Sequence, residues 1–494
     1  MFGQGTYLLT VIRRHTANRY FNFKYLLCVF YSFIAGLPVG TLAAEWDFSP
    51  ALTIDEVYTD NVNLAPSGFR EDDLISVITP GISVGRESSN LKFKFDYSLQ
   101  NTLYAGDGDR NQHNHALNTD TSAILLDDHF FLDFSLARSV QNVTNTGAIA
   151  ADNLNVSGDR GAILNYQIAP YWKQRIGKFA NLDVRYTRDK ISSSRTFGSR
   201  ADDFIVSLSS GSNYNRLLFD LQFENSKITN ESLRSTRTRR YNLNLRYLLT
   251  RKLAITSNIG YDDNEFDSSR NSIDEVIWNF GFEWNPSTRT SLSVSYGERF
   301  FGNDLKIFLS HRGRKIETSI RYERSPSSTR ESFLQQQAFN LTDLFGNPLD
   351  NVINPQIADL NLAVREQTNE ILIRSKLVAL VSYRLKKHAI NLSADYDKSE
   401  FEISGLTEYI RNINLDWSWN LFPSTSSNFR ITWTKNNLRG DRNDTFLILQ
   451  YGLSHRLTES LTGNIGLRYL DRKSDQVLSE YDESRIFANI SKSF

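Results

Sequence analysis

The sequence predicts an all-β fold: a transmembrane antiparallel up-and-down β-barrel of about 22 strands, within a range of about 20–24. Three observations predict it: strict alternation of apolar and polar residues, connections that alternate between short and long, and a last strand that ends in Phe494. The composition agrees, because 32 Phe, 22 Tyr and 7 Trp occur in a chain whose mean hydropathy is only −0.41. A helical membrane protein is excluded, since a spanning helix needs about 20 consecutive apolar residues.

The N-terminal region has the features of an export signal. Four basic residues precede an apolar segment at 25–42, and Ala43 and Ala44 offer a cleavage site. The alternative is an N-terminal membrane anchor, which is less favoured because a proline and two glycines interrupt the segment. We therefore expect a signal peptide at 1–44 and a mature barrel at 45–494.

The charge and cysteine content narrow the function. Lys plus Arg and Asp plus Glu both number 56, and removal of the signal peptide takes four basic residues and no acidic one, which leaves a mature charge of −4. A charge so close to balance does not indicate a nucleic-acid partner. Cys28 is the only cysteine and lies in the signal peptide, so the mature chain has no disulfide, no thiolate metal site and no cysteine nucleophile.

Alternation with a period of two defines the strands. At 91–99, apolar residues occupy one face and Lys92, Lys94, Asp96 and Ser98 the other, as in a strand with one apolar and one polar face. The same pattern recurs along the mature chain, for example at 217–224, 241–247, 278–284 and 413–419, and is blurred at 371–383 and 444–456.

The connections between these strands alternate in length without a break in phase. About ten are short and about eleven are long and polar, which predicts 22 strands with both termini at the short-turn side, as in barrels with short periplasmic turns and long extracellular loops. A soluble sandwich, propeller or solenoid is the alternative, but it would not need this phase. Long connections include 61–73, 142–159, 298–304, 326–369 and 436–445. The longest, 326–369, is expected to be extracellular and to fold back and constrict the lumen.

If the apolar faces contact lipid, the polar faces line the lumen. The basic candidates there are Lys92, Lys94, Arg185, Arg246, Arg321, Arg430 and Arg468, and the acidic ones are Asp96, Asp183, Asp220, Glu224, Glu283, Asp395 and Asp416. Two interpretations stay open: a hydrated wall of ion pairs, or a track of basic residues for a polyanion. Aromatic residues at strand ends predict interfacial girdles, including Tyr247, Tyr261, Tyr296, Tyr322, Tyr383 and Trp419.

Neither a plug domain nor catalytic chemistry is expected. The first strand begins within a few residues of the cleavage site, which leaves no room for an N-terminal plug. Hydrolase, phosphate-binding and zinc motifs do not occur in the mature chain. His113 and His115 would share one strand face but have no clear third ligand, so we expect no metal, no cofactor and no enzymatic activity.

Three segments resemble a known family. They are the mature opening at 48–64, the segment 310–322, and the C-terminal strand at 485–494. Together they resemble outer-membrane barrels associated with PEP-CTERM/exosortase systems, which are related to barrels encoded in exopolysaccharide operons. The strand that ends in Phe494 also resembles the signature read by the barrel assembly machinery, although Lys492 departs from its apolar pattern.

The resemblance implies a protein of the Gram-negative outer membrane that takes part in export or surface display of exopolysaccharide or PEP-CTERM proteins. Its implied partners are outer-membrane lipid, the barrel assembly machinery, polysaccharide and export-system proteins. It carries over no functional residues. A general or substrate-specific diffusion porin and a non-conducting structural barrel that anchors surface matrix remain the alternatives.

Overall fold

The computed structural model describes most of the region expected to be mature. The described residues are 46–126, 128–143, 147–156, 160–231, 234–270, 272–331, 368, 370–438, 442–476 and 479–494. The predicted signal peptide at 1–44 and most of the predicted loop at 326–369 lie outside them. Among the described residues, no helix is both long enough and apolar enough to span a membrane.

The described residues form 22 strands. Their bounds are β1 (Asp47–Thr59), β2 (Asp73–Glu87), β3 (Leu91–Tyr104), β4 (Gln112–Leu126), β5 (Phe130–Asn142), β6 (Arg160–Ile176), β7 (Ala180–Ser193), β8 (Ser199–Ser210), β9 (Leu217–Asn230), β10 (Thr236–Leu248), β11 (Leu253–Glu265), β12 (Glu275–Ser287), β13 (Thr290–Arg299), β14 (Gly302–Arg312), β15 (Ile316–Ser328), β16 (Ile371–Arg384), β17 (His388–Phe401), β18 (Thr407–Phe422), β19 (Thr425–Leu438), β20 (Arg442–Arg456), β21 (Leu461–Ser474) and β22 (Tyr481–Ser493). A short 3₁₀ helix, Gly108–Arg110, lies between β3 and β4.

Each strand pairs antiparallel with the next, and the last strand returns to the first. In the closing pair, Val57 of β1 lies opposite Phe487 of β22, and Asp55 lies opposite Asn489. Closure leaves no unpaired sheet edge, which a strand structure needs in order to span a bilayer. The predicted fold, a closed antiparallel barrel of 22 strands, is confirmed.

The alternation of connection lengths holds over most of the barrel, but it fails around β8 and β9: their short-side connection, 211–216, has six residues, and the connections before and after it, 194–198 and 231–235, have five each. At the short-turn end, connections such as 88–90, 177–179 and 288–289 have only two or three residues. At the other end lie longer connections, but the loops predicted at 298–304 and 436–445 are wrong in length. Phe300 and Phe301 alone join β13 to β14, and only 439–441 join β19 to β20. The polar residues that suggested loops there belong to paired strands.

One face of the sheet carries a continuous apolar belt. In β12, the alternate residues Trp278, Phe280, Phe282 and Trp284 are 40–58% exposed. A soluble protein would bury such a row, so this face contacts lipid and the opposite face lines the barrel interior. Of the predicted girdle residues, Tyr247, Tyr261, Tyr296, Tyr383 and Trp419 are 37–49% exposed, and Tyr322 is half-buried.

Candidate functional site: the barrel lumen and its inner loop

The strand register places the predicted lumen charges on the face opposite the apolar belt. Three of the predicted residues pair with other predicted residues: Arg246 with Glu283 at 2.7 Å, Arg430 with Asp416 at 2.6 Å, and Lys94 with Asp96 at 3.7 Å. The first pair joins β10 and β12, the second joins β18 and β19, and the third lies within β3.

Other predicted charges form ion pairs, hydrogen bonds or a ring contact with residues that were not among the predicted lumen charges. Arg185 pairs with Asp133 at 3.1 Å, Lys92 with Glu87 at 3.1 Å, Asp183 with Lys173 at 3.9 Å, and Glu224 with Arg240 at 3.4 Å. Asp220 accepts a hydrogen bond from Ser207 at 2.6 Å, Asp395 accepts one from Asn412 at 2.8 Å, and the Arg321 guanidinium lies 5.4 Å from the ring centre of Phe308. So many contacts between opposite charges favour a wall of ion pairs over a track of unpaired cations.

Part of the connection between β5 and β6 lies inside the barrel. We call residues 147–156 the inner loop. Ile149 and Ala150 belong to a buried apolar cluster with Phe446 and Ile448 of β20, Leu470 of β21 and Tyr481 of β22. Leu154, which is fully buried, belongs to a second cluster with Val57, Ile75, Val77, Tyr104 and Phe487. Because these wall residues point inward, the inner loop fills part of the lumen beside β1–β3 and β20–β22.

Wall side chains hold the backbone of the inner loop by hydrogen bonds to its carbonyl oxygens. The Tyr481 hydroxyl donates to Ile149 and the Tyr104 hydroxyl donates to Leu154, both at 2.7 Å. Two further donors are Arg472, to Gly147 at 2.8 Å, and Gln112, to Asn153 at 3.0 Å. A loop buried against the barrel wall needs such partners, because buried carbonyl groups are costly when they lack a hydrogen-bond donor.

A buried charge network fixes the loop at its centre. Asp152 accepts hydrogen bonds from Arg468 and Arg485, each at 2.7 Å. Glu483 bonds the same two arginines, at 3.4 Å and 2.6 Å respectively. Asn155 of the loop donates to Glu483 at 2.8 Å and accepts from Arg485 at 2.6 Å. We call these five residues the anchor network.

Burial and pairing have opposite effects on the Asp152 carboxyl. Burial favours the neutral acid, but the positive charges of Arg468 and Arg485 outweigh it and hold the pKa of Asp152 well below its usual range. Arg485 and Glu483 are only 3% and 1% exposed. Loss of one member of such a buried network leaves the others uncompensated, at a typical cost of about 3–5 kcal/mol.

The longest connection, β15–β16, also turns inward at its described start. Arg330 is 7% exposed, donates a hydrogen bond to the Ser199 hydroxyl of β8 at 3.0 Å, and pairs with Asp189 of β7. Burial lowers the pKa of Arg330 to about 10. Neither β7 nor β8 is a neighbour of β15. The predicted constriction by 326–369 otherwise falls on 332–367, outside the described residues, and stays a prediction.

A further loop contact joins distant strands at the long-loop end. Arg270, between β11 and β12, donates to Glu402, between β17 and β18, at 2.9 Å and 3.0 Å. The Ser268 hydroxyl donates to the same carboxylate at 2.8 Å. The β11–β12 and β17–β18 connections are thus joined by an ion pair and a hydrogen bond at the long-loop end.

The two histidines considered as a metal pair lie on the outer face at the start of β4. His113 bonds Asn101 and His115 bonds Tyr97, each at 2.8 Å through Nδ1. Within the part of the chain that the structure describes, no group of three or more His, Cys, Asp or Glu residues is arranged to hold a metal ion.

The sequence predicts one long polar loop at 142–159 but does not predict its position inside the barrel. A signal was present: the alternation blurs at 444–456, where Phe446 and Ile448 are fully buried on the inner face. Apolar residues on both faces of a barrel strand indicate that something dry covers the inner one.

Comparisons with known proteins support the fold. No family model and no curated protein matches the sequence. Among solved structures, the chain is similar to the FrpB iron transporter from Neisseria meningitidis, in its F3-3 variant, with a TM-score of 0.52 and 10% identity over 91% of this chain and 82% of that one. The F5-1 variant gives 0.51 and 11% identity over 92% and 83%. The siderophore receptor PirA from Acinetobacter baumannii gives 0.51 and 8% identity over 92% and 81%. At such identities the likeness shows the fold alone: a large outer-membrane-type barrel.

Proposed function

We propose that the protein is a transport barrel of the Gram-negative outer membrane that takes part in export or surface display of exopolysaccharide. The observation that carries this proposal is the structure of the inner face. There, a polar wall of paired charges is partly covered by a loop that hydrogen bonds and ion pairs hold in place. Inward side chains near the short-turn end are accessible to water, for example those of Lys173 and Asp183, which are 53% and 38% exposed.

Three expectations belong to this proposal. The belt of lipid-facing aromatic and aliphatic residues supports an outer-membrane location. A barrel without a plug domain stays a prediction, because residues 1–45 lie outside the described part. Recognition by the barrel assembly machinery also stays a prediction: the Phe494 ring is 66% exposed, and its backbone N–H donates to the Pro50 carbonyl at 2.9 Å.

Deletion of the gene tests the proposal. Secreted polysaccharide and surface-displayed PEP-CTERM proteins are measured in the deletion strain, in the strain complemented with the wild type, and in one complemented with Asp152→Asn. We expect loss of export or display on deletion and recovery on complementation. Unchanged polysaccharide and unchanged display in the deletion strain would overturn the proposal.

Planar-bilayer recordings separate the proposal from the alternatives. A porin gives steady conductance to small ions, whereas a closed conduit stays silent without its partners. A structural barrel stays silent as well, but it binds surface matrix and its deletion leaves secretion intact. The names of the similar structures suggest a further control: growth of the deletion strain on a ferric siderophore as the iron source, which we expect to be normal.

A further inference from the structure

We propose that the outer surface of the barrel binds a phosphate group of an anionic glycolipid of the outer leaflet between Arg411 of β18 and Lys435 of β19. This lipid site is separate from the lumen and does not depend on the proposed transport function. It rests on the position, pairing and surroundings of these two cations.

The two cations lie directly opposite each other on the lipid-facing side of the sheet. Arg411 and Lys435 are register partners in the antiparallel pair β18–β19. Side chains at directly opposed positions have Cβ atoms about 4.5–5.5 Å apart, and like charges there destabilise the sheet. Ile413 and Trp433, the next outward residues on the two strands, are also register partners. Ile413 is 46% exposed, which places both pairs on the apolar side.

The height of the pair matches the level of the lipid headgroups. Outward positions on β18 run from Trp419, near the short-turn end, through Trp417 to Arg411. This distance covers about eight residues at roughly 3.3 Å each, and a tilt of roughly 40° makes it roughly 20 Å along the membrane normal, close to the roughly 25 Å of an apolar belt. The pair therefore lies at the outer edge of the belt.

Aromatic residues surround the arginine as in a girdle at the membrane interface. The Arg411 guanidinium lies 5.8 Å from the ring centres of both Tyr396 and Tyr409. The two rings are themselves 6.3 Å apart. Tyrosine is typical of the headgroup level, and the planar fork of an arginine suits phosphate.

The acidic groups on this face do not neutralise the pair. Glu400 of β17 already pairs with Lys398 and with Arg324, the latter at 3.2 Å. Along the row, Lys435 lies opposite Thr445 of β20, and Thr445 lies opposite Lys473 of β21. Asp471 is the acid on the outer face of β21, one outward position before Lys473. In the described part of the chain, no carboxylate lies within 4 Å of the Arg411 or Lys435 side-chain nitrogens, so a lipid phosphate is the group that would compensate them.

Binding of a defined lipid by the purified full-length barrel tests the site. The probe is diphosphoryl lipid A, with phosphatidylethanolamine as the lipid control and inorganic phosphate as the soluble control. Affinity is measured for the wild type, for Arg411→Gln/Lys435→Gln, and for Lys386→Gln/Lys387→Gln, which removes the same charge from an exposed turn at the opposite end. Each basic residue near a charged membrane surface contributes about 1 kcal/mol, so we expect the first double variant to bind lipid A about 30-fold more weakly and the turn variant to bind like the wild type.

Several results would overturn the proposal. One is equal weakening in both double variants, which would indicate a general effect of net charge. Another is unchanged affinity in Arg411→Gln/Lys435→Gln. A third is displacement of lipid A by inorganic phosphate at the same concentration as lipid A, which would show that the site binds a soluble anion. If the double variant does not fold, as judged by resistance to unfolding in detergent at room temperature, the single variant Lys435→Gln replaces it, with an expected loss of about five-fold.

Discussion

Replacement of Asp152 with Asn perturbs the inner loop at its centre while conserving the size of the side chain. The asparagine side chain cannot neutralise Arg468 and Arg485, which lie 2.7 Å from the wild-type carboxylate. Glu483 stays in contact with both arginines, so the cost falls at the lower end of the range for breaking a buried network, about 3 kcal/mol. At about 1.4 kcal/mol per factor of ten, the ratio of bound to released loop falls roughly 100-fold.

A single thiol reports this release. The only cysteine of the chain, Cys28, lies in the predicted signal peptide, so Ala150→Cys places one reactive group in the mature protein. Ala150 is 4% exposed within a buried cluster, and a thiol there reacts with maleimide only when the loop leaves the wall. We expect labelling of the Ala150→Cys protein to accelerate roughly 100-fold when Asp152→Asn is added, together with measurable conductance in planar bilayers.

A matched change elsewhere on the inner face provides the control. Asp133 pairs with Arg185, but the two side chains are 34% and 31% exposed, and such solvated pairs contribute about 0–1 kcal/mol. Asp133→Asn should therefore accelerate labelling no more than about five-fold. Equal labelling rates for the two variants, or no acceleration by Asp152→Asn, would refute the role of the anchor network.

Three further predictions concern the same lumen. The pKa of Asp152 is lower in the folded state than its unfolded value of about 3.9. The ionised carboxylate therefore stabilises the bound loop at every pH above about 3.9, and this stabilisation is lost only as the pH falls below that value. The rate of thiol labelling, corrected with free cysteine, should be equal at pH 7 and pH 5. Tyr481→Phe removes one hydrogen bond to the loop, about 1 kcal/mol, and should accelerate labelling about five-fold; an unchanged rate would show that this bond contributes nothing. Arg330→Gln removes the ion pair that accompanies the Ser199 contact and should increase current fluctuations in single-channel recordings, whereas identical traces would show that this contact does not restrain the long connection.

The strand count could be predicted because it depends on a local rule. Successive side chains of a strand point to opposite faces, so a chain that spans a bilayer repeatedly must alternate at every crossing. The segment 91–99 displays the rule, and β3 occupies Leu91–Tyr104. Loop lengths were harder to predict, because paired strands continue beyond the membrane with polar residues on both faces. That is why the sequence predicts long loops at 298–304 and 436–445, where the strands in fact continue.

The inner loop could not be predicted because its partners are distant in sequence. Asp152 and Arg468 are separated by 316 positions, and they meet only because barrel closure places β22 beside β1 and the β5–β6 connection lies inside the barrel against strands from both ends of the chain. The blurred segment 444–456 held the one local sign, since Phe446 and Ile448 pack on the loop. No spacing rule tells which loop covers them.

The sequence by itself determined the number of strands, the direction of each side chain and the inward position of the predicted charges, since all of these follow from backbone geometry one residue at a time. Only the tertiary structure decided which inward charges meet, where the lumen is dry, and which outward cations, such as Arg411 and Lys435, face each other. Those properties depend on register and closure, and these are set by the packing of the whole barrel.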